Sequence, residues 1–133
     1  MVYMFLDRQV FKKISMDMNV HEKGKMEIES SFSFGIHLSE DHSSCIAKLY
    51  QDAKLKNDPS SFNISVEVVG EFSCEGISTE EDEKEAHIQA YLMLFPYVQN
   101  MIAKLTVDAG LPPLMIQMSK LNPDNIKIET LNE

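Results

Sequence analysis

In the stretch HLSEDH, His37, Asp41 and His42 gather two imidazoles and a carboxylate, side chains that bind divalent metals or move protons. His21 and His87 complete the histidines, and Cys45 and Cys74 are the two thiols. A zinc site needs ligands projecting from ordered elements in a closed geometry. His42 falls in a loop pattern and His37 on the polar face of a strand pattern, so both read as solvated surface histidines. Cys74 and His87 could act as nucleophile and base only if a helix folded the imidazole back over a strand. No glycine-rich loop is placed to supply an oxyanion hole for that pair. In GEFSCEG the glycines end the segment and no Lys-Ser or Lys-Thr follows to grip a phosphate. The expectation is a protein with no catalytic residues, no metal and no cofactor.

Composition narrows the alternatives. The 133 residues suffice for one domain, 1–133, with a sizeable core. Twelve Lys and Arg stand against 21 Asp and Glu, a net charge of -9. Nucleic acid is therefore not an expected partner, since phosphate contacts need clustered cations. No apolar run approaches the ~20 residues of a membrane span. The opening MVYMFLDRQV has no basic region ahead of an apolar run and no small-residue cleavage pattern, so secretion is not expected. Two cysteines make neither a metal cluster nor a disulfide framework, and buried free thiols in a reducing cytoplasm are the expectation.

The elements that would position these residues are legible from periodicity. In MEIESSFSFGIHL, Met26, Ile28, Phe32, Phe34, Ile36 and Leu38 share one face of a period-two pattern. FNISVEVVGEFSCE repeats it with Phe62, Ile64, Val66, Val68, Phe72 and Cys74. CIAKLYQDAKL alternates at Cys45, Ala47, Leu49, Ala53 and Leu55, and the turn-forming KNDPSS joins it to the next strand as a hairpin. VFKKISMDM places Val10, Ile14, Met16 and Met18 on one face as a further strand. Short connectors predict a four-stranded antiparallel meander. Helical character then follows. Ser78 and Glu81 form a capping-box pattern, and the acidic run EEDE suits a helix N-terminus. Proline inside a helix costs roughly 3 kcal/mol but almost nothing at its first position. LMLFPYVQNMIAKL is therefore read as one helix ending near Leu94, a corner, and a second from Pro96 to about Asp108. Val98, Met101, Ile102 and Leu105 make one stripe of that second helix. Gly110 and Pro112-Pro113 stop it, LMIQM forms a short extended segment, and SKLNPDNIKIETLNE is a weakly patterned tail. The predicted class is α+β, a four-stranded antiparallel sheet followed by two helices packed on one face. A hotdog-type thioesterase is disfavoured, because its helix precedes most of its strands.

The segment AYLMLFPYVQNMIAKLTVDAGLPPLMIQMSKLNPDNI resembles the corresponding part of the SecB protein-export chaperones. The shared features are Leu94-Phe95-Pro96-Tyr97, a helix to Asp108, Gly110, Pro112-Pro113, the apolar Leu114–Met118, and a turn across Asn122 to Asn125. VFKKISMD is similar to that family's first strand, and FNISVEVVGEFSCEG to its fourth. Tyr91 also has a family parallel.

The resemblance implies a chaperone or holdase, not an enzyme, that binds unfolded or slowly folding polypeptides along apolar grooves without ATP or cofactor. It implies a cytoplasmic homo-oligomer, a dimer or a tetramer built as a dimer of dimers. Delivery to the translocation ATPase SecA is implied as well. Phe95, Tyr97, Met115 and Met118 become the expected client-binding residues. Val98, Met101, Ile102 and Leu105 become the expected oligomer interface. Nine methionines suit a promiscuous apolar surface. Typical members continue beyond the Asn125 position into a second long helix and an acidic tail, whereas this sequence stops at Glu133. Altered client capture and altered SecA coupling are expected from that difference. Small SecB-like proteins of Gram-positive bacteria, or those beside toxin–antitoxin pairs, fit better. The alternative function is a dedicated adaptor with one partner such as an antitoxin, and a small-molecule enzyme comes last.

Overall fold

The computed structural model describes residues 1–19, 27–56, 58, 60–118, 121 and 128–131. Five strands and one helix follow in the order β1 (Tyr3–Met18), β2 (Ile28–Ser39), β3 (Ser44–Leu55), β4 (Phe62–Glu75), α1 (Glu80–Asp108) and β5 (Ile128–Leu131). The sheet order is β1-β4-β3-β2-β5. All pairings among β1 to β4 are antiparallel, and β5 adds to β2 in parallel. The helix packs on one face of this sheet, so the α+β class and the antiparallel four-stranded core stand as expected.

Period-two patterning puts the same residues inward that the sequence nominated on β3 and β4. Cys45, Ala47, Leu49 and Ala53 of β3 are buried with Phe62, Ile64, Val66, Val68, Phe72 and Cys74 of β4. On β2, Ile36 and Leu38 are buried, while Ile28, Phe32 and Phe34 pack partly buried against the core. Met26, the other nominee on this face, and His21 lie outside the described residues, as does the Asn122 to Asn125 turn.

The meander requires correction. β2, β3 and β4 follow one another across the sheet, but β1 lies beyond β4, at the edge opposite β2. The register explains the preference. Met4, Leu6, Phe11, Ile14, Met16 and Met18 face Cys74, Phe72, Val68, Val66, Ile64 and Phe62, so both apolar sets look toward the helix. β1 keeps this match only by means of two register shifts, between Leu6 and Arg8 and between Phe11 and Lys13. These bulges put Val10 opposite Val69 on the outer face, against the expectation that it shares a face with Ile14 and Met16.

The second correction concerns the helix. One continuous helix of 29 residues replaces the two expected, with Pro96 inside it. Pro96 cannot donate a hydrogen bond to the carbonyl of Leu92, four residues back. Leu92 and Pro96 are both exposed, so the bond is lost on the solvent-facing side of the helix, where it costs least. Inward, the ladder Ala86, Ala90, Leu94, Val98, Ile102 and Thr106 runs past the proline without interruption, every rung buried. Each large apolar rung contributes about 1.5–3 kcal/mol of burial. That contribution outweighs the local cost of the proline.

The capping box also sits one residue later than predicted. Thr79 Oγ1 accepts from Asp82 N at 3.1 Å, and Thr79 N donates to Asp82 Oδ2 at 3.1 Å. At the other end, Gly110 takes the left-handed conformation at φ 86, and the chain turns back along the helix. Gly70 lets the helix approach β4. A Cβ there would meet Leu94 Cδ2 and Phe72 Cε2, each at 2.8 Å.

Candidate functional site

The residues capable of chemistry are dispersed into structural duties. Asp41 accepts from Ser39 Oγ at 2.8 Å, Ser43 Oγ at 2.7 Å and Ser43 N at 3.0 Å. Bonds from the Ser43 side chain and backbone, then Ser39, hold its carboxyl down to about 2. This carboxylate locks the turn between β2 and β3 at His42, whose φ is 58. The His42 ring lies 3.3 Å from Ile77 O through Nδ1 and 3.5 Å from Glu83 Oε1 through Nε2, tying the turn to the helix start. His37 is half-buried on the outer face of β2, opposite Ile46.

His87 is only 2% exposed, with its ring edge against Phe34 at a centroid distance of 4.9 Å and Nδ1 unbonded. Burial lowers its pKa to about 4, so it is neutral at pH 7. Cys45 and Cys74 are buried free thiols on neighbouring strands. The adjacent Cys74 thiol and burial push Cys45 well above the usual thiol range, which leaves it unreactive. Among the described residues, no three His, Cys, Asp or Glu side chains are grouped to hold a metal ion.

The helix side of the sheet offers a different kind of surface. Phe32, Tyr91, Phe34 and Phe95 form a chain of ring contacts, with Tyr91 centroids 5.5 Å from Phe32, 5.4 Å from Phe34 and 5.9 Å from Phe95. Phe95 is buried there, so of the Phe95–Tyr97 pair only Tyr97 reaches the surface, at 38% exposure. After α1, residues 111–118 run back along the helix. Leu114 N donates to Thr106 Oγ1 at 2.9 Å, and Gln99 Nε2 donates to Ile116 O at 2.9 Å. Ile116 turns inward under this tether, leaving Met115 55% and Met118 42% exposed. The thioether of Met115 is thus displayed between two tethered residues, and that of Met118 two residues beyond the second tether.

The predicted interface stripe divides. Val98 and Ile102 are fully buried against the chain's own sheet and have no surface left for a second subunit. Met101 and Leu105 stand half-buried at the edge of that core. Sequence reasoning missed the exposed apolar residues Leu92 and Val107 on the helix and Ile14 and Met18 on β1. Ile14 and Met18 point to the helix side, yet α1 does not cover them. Leu92 and Val107 fall outside the four-residue ladder, which was the available signal.

Comparison with known proteins bears on the family and the fold. The profile of the family described as "Preprotein translocase subunit SecB" matches residues 6–123. The SecB protein-export protein of Anaplasma marginale is 43% identical over 58 residues, 43% of this chain and 33% of that protein. The SecB protein of Neorickettsia sennetsu is 29% identical over 77 residues, 53% of this chain and 47% of that protein. The chain thus spans less than half the length of these relatives. Among solved structures, a SecB-like chaperone of Mycobacterium tuberculosis, in complex with a peptide of the HigA1 antitoxin, superposes with a TM-score of 0.67. It is 18% identical, and the match covers 88% of each chain. A Streptococcus agalactiae protein of unknown function superposes with a TM-score of 0.57 at 10% identity, over 89% of this chain and 99% of that one. The family profile spans most of the sequence and the fold is shared with a SecB-like chaperone: the chain belongs to the SecB family.

Proposed function

We propose that this chain is a SecB-type holdase, acting as a single cytoplasmic domain that captures non-native polypeptides on the helix side of its sheet. The carrying observation is the exposure of the apolar side chains Met115, Met118 and Tyr97 in a chain of the SecB family. Apolar client segments would rest on these side chains, and unbranched thioethers adapt to differing shapes. The reading includes a homo-oligomer, a dimer or a dimer of dimers. Its support is β1, a 16-residue strand at one edge of the described sheet, together with exposed Leu92 and Val107 and half-buried Met101 and Leu105 on the helix. Handover to SecA is the part of this reading that rests on family membership alone.

A second reading, a dedicated partner of one antitoxin-like peptide, is favoured by the peptide complex of the mycobacterial neighbour. One experiment separates them. Light scattering follows the aggregation of several unrelated guanidinium-unfolded proteins, with wild type and with Met115→Glu/Met118→Glu. A general holdase suppresses all of them, and the double variant, at unchanged Tm, loses that suppression. Suppression that survives both charges refutes the site. Failure on every client with tight capture of a single peptide selects the second reading.

A further inference from the structure

On the outer face of the sheet, turned away from α1, cations of β1 and β3 gather around an apolar strip, with Glu67 and Glu71 among them. Three rows of facing residues cross β1, β4 and β3: Arg8–Glu71–Ile46, Val10–Val69–Lys48 and Lys13–Glu67–Tyr50. A shallow groove of about 440 Å³ lies over them, floored by Val10, Ile46 and Val69. Lys12, at the second bulge of β1, and Lys48, on β3, stand on its rim. Opposite Lys48 on β2 is Gly35, where a Cβ would meet nothing within 4 Å, so no side chain closes that side.

The charges here are unequally satisfied. Arg8 Nη1 reaches Glu71 Oε2 at 3.9 Å, and Lys13 Nζ sits 5.5 Å over the Tyr50 ring. Neither Lys12 nor Lys48 has a carboxylate within ion-pair distance among the described residues. Two exposed ammonium groups therefore flank a half-buried aliphatic floor in a protein of net charge -9.

We propose that this groove binds an extended acidic segment of another protein, in the pattern Glu-x-Leu-x-Glu. Alternate residues of an extended peptide face the same way, and four steps span about 13 Å. The central aliphatic side chain would lie on Val10, Ile46 and Val69, and the flanking carboxylates would meet Lys12 and Lys48. Nucleic acid is a poor occupant, because continuous phosphate charge would face Glu67, Glu71 and the chain's overall negative field. An acidic peptide is also repelled at long range. At physiological salt that field is screened beyond ~8 Å. Within the groove Glu67 and Glu71 face the peptide as well, so its two carboxylates are accommodated only over Lys12 and Lys48, with the aliphatic residue between them. This surface is opposite the proposed client site and does not depend on that reading.

The test is fluorescence anisotropy of a labelled peptide of Glu-x-Leu-x-Glu repeats at physiological salt, with Lys-for-Glu and Ser-for-Leu versions as controls. Saturable binding of the acidic peptide alone is expected, weakened about tenfold or more by Lys12→Glu/Lys48→Glu, since each exposed pair turns from attraction to repulsion. Circular dichroism and Tm establish that the variant is folded, and native mass is recorded alongside. Absence of saturation at ~1 mM protein overturns the proposal. So does equal binding by the variant, or loss of binding that coincides with dissociation of a homo-oligomer, which would make the face a contact between copies. Aggregation suppression in the same samples reports the helix side separately.

Discussion

Replacing His87 with Phe should flatten the acid limb of the stability curve. The imidazole is buried against Phe34, and burial lowers its pKa from the ordinary 6.5 to about 4. With a depressed histidine pKa, the unfolded chain binds the proton first as pH falls. The stability tied to this group is therefore complete above about 6.5 and is lost as pH descends through the interval toward 4. The difference in proton-binding free energy between the two states is about 2 kcal/mol by pH 5 and about 3 kcal/mol by pH 4. His87→Phe keeps a ring beside Phe34, removes the unbonded Nδ1 and abolishes the titration. Urea unfolding of both proteins at about pH 7.5 and about pH 5 should show wild type losing about 2 kcal/mol more than the variant. Asp41, Asp58 and Asp82 also have depressed carboxyls, but they are common to both proteins and cancel in the difference. Parallel losses, within ~0.5 kcal/mol, would refute the reasoning and mean that the ring is hydrated or paired in solution.

Gly70→Ala should cost about 1–3 kcal/mol, because the new methyl collides with Leu94 and Phe72 and lifts α1 off β4. A Tm equal to that of wild type would mean that the helix does not sit where Leu94 places it. Pro96→Ala should raise stability by about 1–2 kcal/mol, restoring a donor to the Leu92 carbonyl on the exposed face and relieving the ring clash. A fall in Tm would instead mean that the proline is needed to shape the helix.

Much of this fold was legible, and the misses have physical causes. Strands β2, β3 and β4 alternate cleanly because one face is covered by α1 and the other is not. The bulges of β1 are invisible in its own sequence, since a register shift is a property of the pair and is fixed by β4. The position of β1 in the sheet was likewise hidden, because connector length alone does not say which edge a strand joins. Pro96 misled for a different reason. Its penalty depends on which side of the helix loses the bond, and the ladder of Ala86, Ala90, Leu94, Val98, Ile102 and Thr106 carried the evidence for continuity. Of the residues expected at the client site and the interface, Tyr97, Met115 and Met118 reach the surface, whereas Phe95, Val98 and Ile102 lie inside, as packing on the chain's own sheet would have them. An amphipathic stripe identifies a packing face but not which partner occupies it.

The placement of β1 also sets the order in which the molecule can be completed. Every ladder partner of this first strand lies at or beyond Phe62, whereas the β2–β3 and β3–β4 ladders join strands consecutive in the chain. During synthesis at ~5–20 residues per second, the first strand therefore waits for seconds before its seat exists. Through that wait Phe5, Val10, Phe11 and Ile14 stand open to solvent and to other chains, interrupted by Asp7, Arg8, Lys12 and Lys13. Those charges act as gatekeepers against premature pairing. A newborn copy thus passes through the very condition, an unpaired apolar strand, that its finished form is proposed to shelter in others.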